Sequence, residues 1–183
     1  KIHRIAPDGN VTQFARGLRN PFDSGWDPAS GKLIVTDNGP DSGDEIHVIG
    51  EDSDCGWPDT WGAMPAVKDA VLPDYVFDST VAPTGIAILN DRQPYLRRGF
   101  LVGAFVTRAI YYFADLDSPY IVIEDETPAV IDIAQSPDGP IYFAAGGFSP
   151  GASGIYRLHV PMGRDCNGDG LVNVLDRDAV RDG

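Results

Sequence analysis

Two stretches of this chain carry side chains whose types and spacing suit chemistry. The first is Asp165–Asp176, which reads D-C-N-G-D-G-L-V-N-V-L-D. A calcium loop of the EF-hand type places oxygen donors at positions 1, 3, 5, 7 and 12, with a glycine at 6 for the sharp turn. In that register the donors are Asp165, Asn167, Asp169, the Leu171 carbonyl and Asp176, with Asn173 at position 9 and Gly170 at the turn. Carboxylates and carbonyls wrapped in this way suit a hard, flexible ion such as calcium better than zinc. The second stretch runs from Gly17 to Ile49 and continues to Gly62. In it Arg19 and Asn20 precede a proline turn, Asn38-Gly39-Pro40 follows a strand end, and Asp44-Glu45 opens the next strand. If these loops converge, an arginine beside carboxylates and outward-turned carbonyls holds an anionic ligand bridged by calcium. The same residues also read, with no ligand, as ordinary Asx and proline turns plus a stitching Arg–Asp pair.

The elements that must position these groups repeat. Leu33-Ile34-Val35, Phe100-Leu101-Val102 and Ile141-Tyr142-Phe143 are short apolar runs, each preceded by a turn (DPASG, LRRG, SPDGP) and followed by a second β-rich run. Leu101 and Ile141 are 40 residues apart, and Ile110 and Ile155 are 45 apart. That period belongs to the four-stranded blade of a β-propeller. The expected fold is therefore all-β: a propeller over residues 1–160, with three blades visible of an expected six. A short calcium loop and helix over 161–183 follow it, where strand periodicity stops and Val172, Leu175 and Val180 fit a helix face. The opening KIHRI reads as the last strand of a blade that begins before residue 1. The remaining blades are then expected in a longer chain or a second copy. Residues 50–82 interrupt the repeat as a long Asp-, Pro- and Trp-rich insertion.

Composition narrows the partners. Fourteen Lys and Arg against 27 Asp and Glu leave a net charge of −13. Nucleic acid and anionic membrane both require a basic face, so neither is expected, whereas a cation is. No apolar run approaches the ~18 residues of a membrane span. Gly and Pro make up about a fifth of the 183 residues, in keeping with a turn-rich β protein. The two cysteines, Cys55 and Cys166, lack metal-site spacing and can pair only in an oxidising compartment. His47 falls on a strand and reads as a surface or satisfied histidine. Trp57 and Trp61 read as core packing before they read as the floor of a sugar pocket.

Several of these strings resemble the soluble quinoprotein glucose/sorbosone dehydrogenase family. They are Arg19-Asn20-Pro21, Asp27-Pro28 to Leu33, Gly39-Pro40, Asp44-Glu45-Ile46 and Gly56-Trp57-Pro58, with Ala82-Pro83-Thr84-Gly85 and Ser136-Pro137-Asp138-Gly139 further on. The resemblance spans about residues 1–158 and implies a six-bladed propeller that oxidises sugars with pyrroloquinoline quinone (PQQ) and calcium. It implies that the Gly39 and Pro40 carbonyls ligate that calcium. By the same resemblance Arg19 and Asn20 contact the quinone, Asn38 stands where glucose enzymes have Gln, and Asp44 supports the loop. It also implies a Lys near residues 101–111, where only Arg108 is present, and an Arg-x-Arg pair where the chain reads Ala129-Val130-Ile131. The family's catalytic histidine has no counterpart among His3, His47 and His159. The run at 163–182 resembles one dockerin repeat, which implies a cohesin-like partner.

The leading expectation is thus a secreted or periplasmic PQQ-dependent sugar dehydrogenase relative, incomplete as it stands. The alternatives are a non-catalytic calcium-binding propeller for a protein or carbohydrate partner and, third, a calcium-dependent propeller lactonase or esterase.

Overall fold

The computed structural model describes the chain apart from residues 66, 68, 91, 93–95, 97, 119, 125–127, 148–152 and 160–183. The calcium loop expected at 165–176, its helix and Cys166 all lie outside the described residues. Within them the protein is all-β, with fourteen strands and no helix. It divides into two compact units, Lys1–Pro83 and the part from Thr84 onward.

The first unit holds two sheets. One has the order β1-β2-β6, from β1 (Ile2–Ile5), β2 (Val11–Arg16) and β6 (Ser53–Asp54). The other has the order β3-β4-β5-β7, from β3 (Pro21–Asp27), β4 (Lys32–Asp37), β5 (Glu45–Ile49) and β7 (Tyr75–Val76). The β3–β4 connection follows directly from its residues. Asp27 accepts the amides of Ala29 and Ser30 through its carboxylate, at 3.0 and 3.1 Å. Gly31 then adopts φ 68°, where a side chain is disfavoured, and returns its N–H to the Asp27 carbonyl. Phe14, Ala15, Leu18, Val35, Ile49 and Cys55 form the apolar core of this unit. Fully burying a side chain of the Val or Ile class contributes about 1.5–3 kcal/mol.

The second unit also holds two sheets. Their orders are β11-β10-β9-β8 and β12-β13-β14. The strands are β8 (Pro83–Ile88), β9 (Phe100–Ala104), β10 (Ile110–Phe113), β11 (Ile121–Glu124), β12 (Ala129–Gln135), β13 (Ile141–Gly146) and β14 (Gly154–Leu158). Every residue of β9 and β10 is buried, which explains their unbroken apolar reading. Phe100 and Phe113 face each other across that pair with ring centroids 5.0 Å apart and nearly parallel.

Three repeats were expected, and the described residues form four sheets. The additional one is β1-β2-β6. The opening strand pairs antiparallel with β2, while β2 pairs parallel with β6, which comes from the 50–82 stretch. That stretch also supplies β7 to the neighbouring sheet. It is therefore a structural connection between two sheets, and its strands are too short to register as apolar runs.

Candidate functional site

Asp37 organises the first part of the site. It ends β4, and the pairing of β4 with β5 sets it directly opposite Glu45. Its Oδ2 accepts the Arg19 amide at 2.9 Å and its Oδ1 the Asn20 amide at 2.6 Å. Asn20 also accepts the Asn38 amide on its carbonyl, so its backbone, not its exposed side chain, shapes the turn. Arg19 donates Nη1 to the Asn38 carbonyl at 2.9 Å and lies over the Trp57 ring. The Asn38 side chain donates to the Pro83 carbonyl at 2.9 Å. Burial pushes the Asp37 carboxyl above the usual aspartate range. The two backbone N–H groups oppose that rise, Glu45 adds to it, and His47 opposes it.

Asp44 organises the second part. Its Oδ1 accepts the Gly39 amide at 3.0 Å, and its Oδ2 accepts the amides of Val81 and Ala82 at 2.8 and 2.7 Å. One buried carboxylate thus ties the 39–44 turn to the segment entering β8. The turn is closely wound, because a Cβ added to Gly39 meets the Ser42 carbonyl oxygen at 2.0 Å. Asp44 thereby takes up the Gly39 N–H, in the turn whose Gly39 and Pro40 carbonyls the family resemblance implies as calcium ligands.

Between these parts Arg19, Asn38, Gly39, Glu45, Trp57 and Trp61, among others, border a narrow crevice that encloses no room for a water-sized sphere. Trp57 and Trp61 are half-buried and meet edge to face at 6.4 Å. They line the cleft and do not sit in the apolar core that was expected for them.

Sequence reasoning missed the group beneath the cleft. The ligand atoms of Asp37, Glu45 and His47 lie within 4.8 Å of one another, and all three residues are buried. Glu45 Oε1 accepts the Gly62 amide, and Oε2 stands 2.5 Å from His47 Nε2. His47 is 1% exposed, so it is not a surface histidine, and its Nδ1 has no hydrogen-bond partner. Burial pulls its pKa down, but the Cys55 and Glu45 side chains outweigh this and push it up to about 9. The signal was present as a period of two. Glu45 and His47 share one face of β5, and β4–β5 pairing adds Asp37 to that face. Arg108, in unit two, lies exposed in the turn before β10 with φ 59°.

The family model described as glucose / sorbosone dehydrogenase matches residues 1–150. An uncharacterized protein, slr1608, from Synechocystis sp. (strain ATCC 27184 / PCC 6803 / Kazusa) is 29% identical over 172 residues, covering 78% of this chain and 42% of its own. Aldose sugar dehydrogenase YliI from Escherichia coli (strain K12) is 25% identical over 146 residues, covering 70% of this chain and 39% of its own. A solved glucose dehydrogenase superposes with TM-score 0.71 at 21% identity, covering 81% of this chain and 46% of that one. The PQQ-bound aldose sugar dehydrogenase from Streptomyces coelicolor gives 0.64 at 20%, covering 83% and 46%. These likenesses establish the propeller-type fold. The chain spans less than half the length of the curated relatives it matches. No helix among the described residues is long and apolar enough to cross a membrane.

Proposed function

Because this chain belongs to the glucose/sorbosone dehydrogenase family, we propose that its first unit supplies part of a calcium–quinone site in a PQQ-dependent sugar dehydrogenase. The observation that carries this reading is the Asp44 carboxylate, which binds three backbone N–H groups and so fixes the Gly39–Pro40 turn. The residues fit the metal through the carbonyls of that turn. They fit one edge of the quinone through Arg19, whose guanidinium is fixed by the Asn38 carbonyl and by Trp57. When bound, the quinone with its calcium supplies the hydride acceptor for sugar oxidation. The chain's own residues then bind and orient. Arg19 neutralises an anionic group, Asp37 holds the backbone amides of Arg19 and Asn20, and the Trp57–Trp61 pair presents aromatic faces to a ring. The aldose substrate, a periplasmic or secreted location, and calcium binding by Asp165, Asn167, Asp169, Leu171, Asn173 and Asp176 belong to the same proposal. So does a cohesin-like partner for that loop.

The test is a PQQ titration with calcium and with a chelator on the longest natural form, read by quinone absorbance and dye-linked aldose oxidation. Calcium-dependent binding with turnover is expected. Absence of quinone binding overturns the reading.

One observation favours a second reading, a calcium-loaded propeller that recognises a protein or carbohydrate without redox chemistry. Val130 is fully buried in the core of the second unit, at a place where the family resemblance implies a cation pair. Calcium binding without quinone binding is the outcome that selects it.

A further inference from the structure

We propose that Trp61 is a positioning residue for the Gly39–Pro40 turn: an indole from the 50–82 connection that sets the calcium affinity of the turn without touching the ion. This role rests on the calcium reading of the turn and adds to it a residue outside the ligand set.

Two glycines make the contact possible. Gly43 stands in the 39–44 turn at φ 71°, and Gly62 follows Trp61 at φ 58°. A Cβ built on Gly43 would stand 3.0 Å from Cε3 and Cζ3 of Trp61 and 3.1 Å from the Gly62 Cα. The six-membered ring of Trp61 thus takes the space that a side chain at position 43 would need, and the positive φ disfavours such a side chain in any case. Glu45, two residues further on, accepts the Gly62 amide through Oε1. The backbone behind the indole is therefore tied to the strand that the turn enters. Trp57 packs edge to face on the same indole, with centroids 6.4 Å apart. Trp61 also borders the crevice that Arg19, Asn38 and Gly39 share.

Backbone carbonyls have no rotamers of their own. Their direction follows from the φ and ψ of the turn, so a pair of them holds a cation only as well as the turn itself is held. Asp44 fixes the turn at Gly39 and ties it to Val81 and Ala82, and Thr80 donates Oγ1 to the Asp41 carbonyl at 2.8 Å. At Gly43 the constraint is the indole. An indole offers an N–H donor and no oxygen, so Trp61 is no ligand for a hard cation and acts through the turn alone.

The test is a calcium titration of the longest natural form in excess PQQ, with free calcium set by a chelator buffer and binding read from quinone absorbance. That signal follows the turn and not the loop proposed at 165–176. Trp61→Ala is expected to raise the calcium Kd about 10-fold or more, as supporting residues around a metal do when removed. Trp61→Phe keeps a six-membered ring against Gly43 and stays close to the unaltered protein. Gly43→Ala retains the indole but displaces it, and loses affinity as Trp61→Ala does. A purely structural role would lower the urea midpoint of Trp61→Ala while leaving the calcium Kd of the folded molecules unchanged, and that result overturns the proposal. An equal loss in Trp61→Phe and Trp61→Ala overturns it too. Should Trp61→Ala fail to fold, Gly43→Ala set against Trp61→Phe decides the question: unchanged affinity in Gly43→Ala overturns the proposal. Quinone uptake that is absent or indifferent to calcium in the unaltered protein removes the calcium reading and this role with it. Calcium-dependent uptake that the variants leave intact removes the role of Trp61 alone.

Discussion

The guanidinium carbon of Arg19 lies 5.6 Å from the centre of the Trp57 ring, while its Nη1 donates to the Asn38 carbonyl. Trp57 comes from the 50–82 connection and Asn38 from the end of β4, so one cation is positioned by two separate segments. An exposed contact of this kind contributes about 0.5–1 kcal/mol to stability, but it fixes where the charge stands. Arg19→Ala is therefore expected to weaken calcium-dependent quinone binding by about tenfold or more while leaving the unfolding midpoint nearly unchanged. Paired quinone titrations and urea curves check both halves.

Asp44→Asn tests the turn. The amide keeps one acceptor but turns an NH2 toward the N–H groups of Val81 and Ala82, which lose their acceptor in a buried setting. A loss of about 2–4 kcal/mol in unfolding free energy is expected. Calcium affinity falls with it, as read by calorimetric titration.

His47 makes stability depend on pH. Its folded pKa of about 9 lies above the ordinary 6.5, so the folded state binds a proton more tightly than the unfolded one. The resulting stabilisation, on the order of 3 kcal/mol, is complete below pH 6.5 and is lost as pH rises through about 9. His47→Asn should flatten the decline between those limits in chemical denaturation. An unchanged slope in the variant rules the histidine out as its source.

The calcium loop proposed at residues 165–176 is tested at one carboxylate. Asp169→Ala removes the donor at position 5 and is expected to lower bound calcium by one equivalent, with the propeller's melting temperature unchanged. Atomic absorption after dialysis gives the number.

The strands of the second unit were legible because β9 and β10 are buried along their whole length and SPDGP announced the β12–β13 turn, as DPASG announced the β3–β4 turn of the first unit, through Asx chemistry and glycine. Arg19, Asn38 and Gly39 were legible as neighbours through their turn motifs. Asp37 and the Glu45–His47 pair were not. Their polarity signalled an outward face, yet hydrogen bonds from Gly62, Arg19 and Asn20 make their burial tolerable, and such long-range partners leave no local pattern. β6 escaped notice for a related reason: two polar residues, Ser53 and Asp54, form a strand only because β2 stands beside them.

The connection from residue 50 to 82 pairs with β2 through Ser53–Asp54 and with β5 through Tyr75–Val76, and Val71 donates to the Asp54 carbonyl between them. It works as a clasp closed at both ends. Neither sheet of the first unit can release its share of the clasp without exposing hydrogen bonds belonging to the other. In amide hydrogen exchange the protons of β2 and β5 should consequently open together, as one cooperative block with a single free energy, although they belong to different sheets.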